Sequence, residues 1–313
     1  MSALICGSFA FDTIMVFQDK FKNHILPDKV HILNVAFHVP DLRREFGGCA
    51  ANIAFNLKLL GGNPLPMGTV GKDFSPYAEW MDQHGISRNH VKKIDGAYTA
   101  QAFITTDQDD NQITAFHPGA MDFAHEVKVG DAQGVSIGIV SPDGRQGMID
   151  HARQFADAGI PFIFDPGQAM PLFTGDDFKL FIEQATWVCV NDYESQVLQE
   201  RTGWSPHEIA EKVEALVVTR GGEGSYIYLG EKRIEIPPAK INAVVDPTGC
   251  GDAYRGGLLY GLMNGLDWEV TGRMAALMGA IKVECNGTQN HIFTLDEFRD
   301  RYHDSFGTAL AEL

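Results

Sequence analysis

The sequence has no apolar run approaching the roughly 18 residues that a membrane span needs. Its first residues, Met1-Ser2-Ala3-Leu4-Ile5-Cys6, place no basic region ahead of an apolar stretch, so they read as a first strand rather than an export signal. Cysteine is sparse: five residues, at 6, 49, 189, 250 and 285, odd in number and without a CxxC pair. That pattern argues against a disulfide frame or a cysteine zinc site and suits reduced thiols in a cytosolic protein. The histidines show no HExxH or similar spacing, which argues against a zinc centre. Positive charge is also short, with 25 Lys and Arg against 41 Asp and Glu and a net charge of −16. Such a surface repels nucleic acid and anionic lipid. An anionic ligand would have to be held locally, by backbone dipoles, a few cations or a metal ion. The expectation is a soluble cytoplasmic protein that binds neither nucleic acid nor membrane.

What is present is core. The 313 residues are 44% hydrophobic. From residue 135 onward, short apolar runs alternate with helical stretches. VSIGIV (135–140), PFIFD (161–165), WVCVN (187–191) and ALVVT (215–219) read as parallel strands buried on both faces. Helices are expected near 145–158, 176–185, 252–264, 267–284 and 294–303, with another in DYESQVLQERTG. The segments 13–46 and 97–117 instead alternate polar and apolar, as antiparallel strands with one wet face do. The reading is one doubly wound α/β domain, residues 1–313, with a small β-sheet lid.

Two glycine-rich segments carry the chemistry. In VVDPTGCGDAYRGG (244–257), Thr248-Gly249-Cys250-Gly251 offers almost no side chain just before an apolar helix. A helix N-terminus of that kind exposes N–H groups to an anion, and Asp252 stands beside them. In FGGCAANIAFNLKLLGG (46–62), Ala50, Ile53, Ala54, Leu57 and Leu60 share one helical face, and Gly47 and Gly48 precede it. Asn52 falls off the apolar stripe, in the first turn; the bland reading leaves it solvated. Polar residues also end several strands: Gly7, Ser8 and Asp12, then Asp165 to Gln168, Asn191 to Glu194, and Arg220 to Gly224. In an open α/β sheet that rim is where ligands bind. GTVGKD (68–73) fails as a P-loop because Asp73 replaces Ser or Thr, and no GxGxxG follows the first strand.

Together, FGGCAANIA and DPTGCGDAYRGG resemble the two signatures of the ribokinase-like (PfkB) carbohydrate and nucleoside kinases. NDYE is similar to that family's N-x-x-E motif, and TRGGEGS to its T-x-G-x-x-G nucleotide loop. Within the family, LPDKVHILNVAFHVPDLRREFGG, ITAFHPGAM and NGTQ resemble bacterial adenosine kinases of the mycobacterial kind. The resemblance implies an ATP- and Mg²⁺-dependent kinase that phosphorylates the 5′-hydroxyl of a purine nucleoside, adenosine foremost, in purine salvage; a pentose or hexose kinase is the alternative. It makes Asp252 the general base and Gly249, Cys250 and Gly251 the anion hole. Asp12, Gly47, Gly48 and Asn52 would hold ribose hydroxyls, and Phe116 and Gln168 the base. Asn191, Thr219, Gly221 and Gly224 would serve ATP, with Asn286 and Gly287 near its adenine, and Glu194 would organise Mg²⁺ through water. Asp246 reads equally as a potassium ligand or as a plain turn residue. The subgroup's base-stacking aromatic would stand at Ala102; here Phe103 is one residue on, which in a strand turns it to the opposite face. Cys250 departs from the family's small aliphatic residue. A helix N-terminus lowers a thiol's pKa, while Asp252 acts the other way. An exposed lid edge leaves a lid-to-lid homodimer open.

Overall fold

A computed structural model describes residues 1–25, 34–109 and 111–310. The chain begins with β1 (Ser2–Cys6), then β2 (Ala10–Val16) and β3 (Asp41–Gly47) of the lid, α1 (Cys49–Leu59), β4 (Pro64–Val70), α2 (Ser75–Gln83) and β5 (His90–Lys93). The lid is completed by β6 (Ala100–Thr106) and β7 (Gln112–His117). There follow β8 (Val135–Val140), α3 (Arg145–Asp157), β9 (Phe162–Phe164), α4 (Gly175–Gln184), β10 (Trp187–Asn191), α5 (Asp192–Thr202), α6 (Pro206–Ala210) and β11 (Ala215–Thr219). A hairpin of β12 (Ser225–Leu229) and β13 (Lys232–Ile236) leads to α7 (Cys250–Met263), α8 (Trp268–Val283) and α9 (Leu295–Phe306).

Nine strands form the main sheet in the order β13-β12-β11-β10-β9-β8-β1-β4-β5. The chain reverses direction across the sheet between β8 and β1, so the carboxyl ends there open a crevice. Alternation along β1 shows why the sheet is covered twice. Ala3 and Ile5 pack with α1, α2 and α7 on one face, Leu4 and Cys6 with α3 to α6 on the other. Four helices begin at capping boxes: Thr174 with Asp177, Asn191 with Glu194, Ser205 with Glu208, and Thr294 with Glu297. No helix among the described residues is long and apolar enough to cross a membrane.

Four expectations are corrected. The lid, ordered β3-β2-β6-β7, is mixed rather than antiparallel, because β2 and β6 run parallel. Among the described residues of the expected lid stretch 13–46, strand occupies only 13–16 and 41–46; residues 26–33 lie outside the description. The main sheet also ends in an antiparallel hairpin, β12–β13, which the parallel reading passed over. Helix α1 is buried over Cys49–Leu57 on every side, Asn52 included, because the sheet and α7 enclose it.

Candidate active site

Two cavities meet at the N-terminus of α7. The first, about 670 Å³, lies under the lid. Its roof is Ala10, Asp12, Ala102, Ile104 and Phe116. Its floor is the strand ends at Ser8, Pro142–Arg145 and Gln168, and its inner wall is Asn52, Thr248, Gly249 and Asp252. The second, about 560 Å³, is lined by Thr219, Gly221, Gly222 and Gly224 at the end of β11 and by apolar residues including Ile241, Val244, Ala276 and Ala280. Cys250 and Gly251 face the second cavity while Gly249 and Asp252 face the first. A single turn of backbone therefore separates two binding spaces.

That turn is held open by its geometry. Gly249 caps α7 with φ of 79°, a left-handed conformation that a side chain would strain. The Cys250 N–H is drawn into a turn with the Pro247 carbonyl at 3.2 Å. Among the described residues no acceptor takes the N–H groups of Gly249, Gly251 or Asp252. Gly48 does the same service at α1: its φ is 92°, and a Cβ there would fall 2.5 Å from the Ser8 carbonyl oxygen. Gly47 does not line the cavity; it leaves room behind Asp12, whose Oδ2 lies 2.5 Å from where its Cβ would be.

Asp252 is set by its neighbours. Burial pushes its carboxyl up to about 6, with Asp165 adding to the rise, while the Asn52 hydrogen bond and Arg255 act in the opposite sense. Asn52 Nδ2 donates to Asp252 Oδ2 at 2.8 Å. Gln289 Nε2 donates to Asn52 Oδ1 at 2.8 Å and to the Tyr77 hydroxyl at 2.7 Å, and Gln289 Oε1 accepts from Trp80 Nε1 at 3.0 Å. This chain fixes which end of the Asn52 amide faces the carboxylate. One turn behind Asp252, Arg255 forms two 2.8 Å bonds to Asp165, both buried. Asp12 is likewise raised to about 6, by burial first and then by Glu45 and Asp246.

The remaining expected residues fall into three groups. Asp12, Gly48, Asn52, Phe116 and Gln168 come together in the first cavity, and Thr219, Gly221 and Gly224 in the second. Asn191 and Glu194 line neither; they are reciprocal cap partners, with Glu194 Oε2 3.9 Å from Arg255. Asn286 and Gly287 also stand apart from the second cavity, the Gly287 N–H donating to Asp246 Oδ2 at 2.9 Å. Phe103 sits opposite Ala115, whereas Ala102 sits opposite Phe116, so Phe103 points away from the cavity. Burial pushes the Cys250 thiol up to about 11, with Asp246 and Asp252 adding to the rise and Lys282 acting against it.

Sequence reasoning passed over Arg255, Gln289 and Asp143. Arg255 and Gln289 stand inside quoted motifs, DAYRGG and NGTQ, but only the fold supplies their partners. Asp143 reads as an ordinary turn in SPDG. It is buried in the wall of the first cavity, its Oδ1 accepts the Gly144 N–H, and its Oδ2 has no partner. Burial pushes it up to about 8.

The model of the pfkB family of carbohydrate kinases matches residues 13–294. The chain belongs to that family, and it is an ATP-dependent kinase acting on a hydroxyl group. It is 32% identical over 270 residues to the nucleoside kinase of Methanocaldococcus jannaschii, covering 86% of this chain and 89% of that one. It is similar to the solved structure of Burkholderia thailandensis nucleoside kinase in complex with inosine, at 50% identity and a TM-score of 0.90, covering 98% and 99% of the two chains. Adenosine kinase from Sinorhizobium meliloti, at 20% identity and a TM-score of 0.72 over 92% and 95%, shares the fold alone.

Proposed function

We propose that this kinase phosphorylates the 5′-hydroxyl of a purine nucleoside, adenosine foremost, with ATP in the second cavity. The observation that carries this reading is the mixed lining of the first cavity. Asp12, Asn52 and Asp252 are suited to the hydroxyls of a ribose; Phe116, Ile104, Met121 and Leu172 are suited to a flat base. A pentose or hexose would leave those apolar residues without contact. Two of the relatives named above are nucleoside kinases.

In the reaction, the Asp252 carboxylate accepts the proton of the 5′-hydroxyl as its oxygen bonds to the γ-phosphorus, and the bond from phosphorus to the ADP oxygen breaks. The open N–H groups of Gly249 and Gly251 stabilise charge on the transferring phosphoryl. A base near 6 stays ionised at neutral pH yet binds a proton more readily than an ordinary aspartate. Mg²⁺ neutralises phosphate charge when bound. Glu194 suits it through water, since only Oε2 is engaged in the helix cap and Oε1 has no partner among the described residues. In the same cavity Asp143 Oδ2, without a partner among the described residues and with its carboxyl raised by burial, suits a hydrogen bond to a ring nitrogen or carbonyl oxygen of the base when protonated. With Phe103 turned away and only Ala102 opposite Phe116, the base is stacked on one side, so inosine and guanosine are accepted as well.

The test is phosphorylation by ATP and Mg²⁺ of adenosine, inosine, guanosine, ribose and fructose. The nucleosides are expected to lead in kcat/KM. Ribose or fructose exceeding every nucleoside by about tenfold, a difference of 1.4 kcal/mol in transition-state binding, would overturn the assignment.

A further inference from the structure

Lys282 is a charge in an otherwise apolar stretch of α8, and its side chain is completely buried at 0% exposure. Its Nζ donates to the carbonyl oxygen of Asp246 at 2.7 Å and to that of Cys285 at 3.0 Å. These carbonyls lie on different segments: Asp246 on the loop that runs into the N-terminus of α7, Cys285 on the loop leaving α8. The end of α8 grips the first loop a second time, because the Val283 carbonyl accepts the N–H groups of Val245 and Asp246 at 2.8 and 3.0 Å. Burial presses the Lys282 pKa down and Asp246 raises it. A cation at the C-terminal turn of a helix is also favoured by the helix dipole.

A potassium ion at Asp246, which the family resemblance allows, does not fit these residues. Asp246 Oδ1 accepts the Thr248 N–H at 2.9 Å and Oδ2 the Gly287 N–H at 2.9 Å. Arg43 stands 3.8 Å from Oδ2. The carbonyl oxygens of Asp246 and Cys285 already face an ammonium. Potassium needs oxygen donors, and here the oxygens are engaged by N–H groups and by a fixed positive charge of similar size.

We propose that Lys282 is a built-in monovalent cation: its ammonium positions the Asp246–Cys250 loop, and through it the N–H groups of Gly249 and Gly251 and the Asp252 carboxylate, so that the kinase works without monovalent salt. Lys282 is a positioning residue that touches no substrate. Its kinetic readout rests on the kinase reading above, whereas its effect on melting does not.

The experiment compares the parent, Lys282→Ala and Lys282→Met in potassium, ammonium and choline chloride at equal ionic strength, by steady-state kinetics and by thermal melting. The parent is expected to show the same kcat and melting temperature in all three salts. Lys282→Ala, which opens a space lined by carbonyl oxygens, is expected to lose at least about tenfold in kcat in choline. Potassium or ammonium should restore part of that loss and raise its melting temperature. Lys282→Met fills the space without charge and should lose kcat in every salt. A parent that loses most of its activity in choline overturns the proposal. So does a folded Lys282→Ala that no cation rescues in either readout. If Lys282→Ala does not fold, Lys282→Met decides, and parental kcat in that variant overturns the proposal.

Discussion

Gln289→Glu is a nearly isosteric change that reverses one hydrogen bond and thereby addresses Asp252 from a distance. Gln289 does not line the first cavity, and it reaches the carboxylate only through Asn52. A carboxylate at 289 still accepts from Trp80 Nε1 but cannot donate to Asn52 Oδ1. The Asn52 amide then turns its NH₂ toward residue 289 and its oxygen toward Asp252. A hydrogen bond to a charged group contributes about 1.5–3 kcal/mol, and one pKa unit corresponds to 1.36 kcal/mol, so the acid limb should rise by at least about one pH unit. The parent limb is expected near 6, where burial puts the Asp252 carboxyl. Ionisation of the base at pH 6 would fall from about one half to about one tenth, roughly a fivefold loss in kcat/KM; the loss is about twofold at pH 7 and vanishes near pH 9. Asp12, also near 6, titrates alike in both proteins and cancels in the ratio. The assay is kcat/KM against pH from 5 to 9, with melting recorded at each pH because Tyr77 also loses a donor. Gln289→Met removes the same donor without adding charge and should shift the limb in the same direction by less. A folded Gln289→Glu whose acid limb coincides with the parent's would refute the idea that this chain orients Asn52 for Asp252.

Two further substitutions separate chemistry from scaffold. Asp252→Asn keeps the bond to Asn52 in outline but cannot take the proton; kcat should fall by about 10²–10⁴-fold while nucleoside binding measured by calorimetry persists, and near-normal kcat would remove Asp252 from the mechanism. Asp165→Asn strips the buried Arg255 guanidinium of its carboxylate, which should cost about 3–5 kcal/mol and lower the melting temperature by on the order of 10 °C. The double change Asp165→Leu with Arg255→Met should recover much of that loss, and a single variant as stable as the parent would show that the pair is not what braces α7.

Hydrophobic period carried the central strands and most helices, because β8 to β11 are buried on both faces and β9 and β10 are each followed by a helix that begins at a capping box. Period also resolved Phe103 against Phe116, since alternation in a strand assigns faces directly. Alternation says nothing about the direction of a partner strand, which is why the parallel pairing of β2 with β6 was not legible. The hairpin β12–β13 has its signal in SYIYLGEKRIEI, where two alternating runs flank Gly230, but the parallel reading missed it.

The site was readable where its chemistry is local and opaque where it depends on enclosure. Gly249, Gly251 and Asp252 lie within four residues, and their spacing alone describes backbone donors beside a carboxylate. Asn52 lies off the apolar stripe, which leaves it open as a solvated residue or as a ribose ligand; α1 is enclosed by the sheet and α7, so its polar side points inward and Asn52 lines the first cavity. For Cys250 the sequence offers a helix terminus and Asp252 as opposing influences, whereas the largest one, burial, comes from the fold and pushes the thiol up. Arg255 and Lys282 are the plainest cases. A charged residue within an apolar helix must have a buried partner, since an unpaired charge there is strongly unfavourable. The demand is visible in the sequence, but the partners, Asp165 at the end of β9 and two carbonyl oxygens on separate loops, are supplied only by the fold. Both charges brace the same short stretch of backbone, one behind Asp252 and one beneath Asp246. The loop with almost no side chains of its own thus meets one cation from the helix it leads into and one from α8.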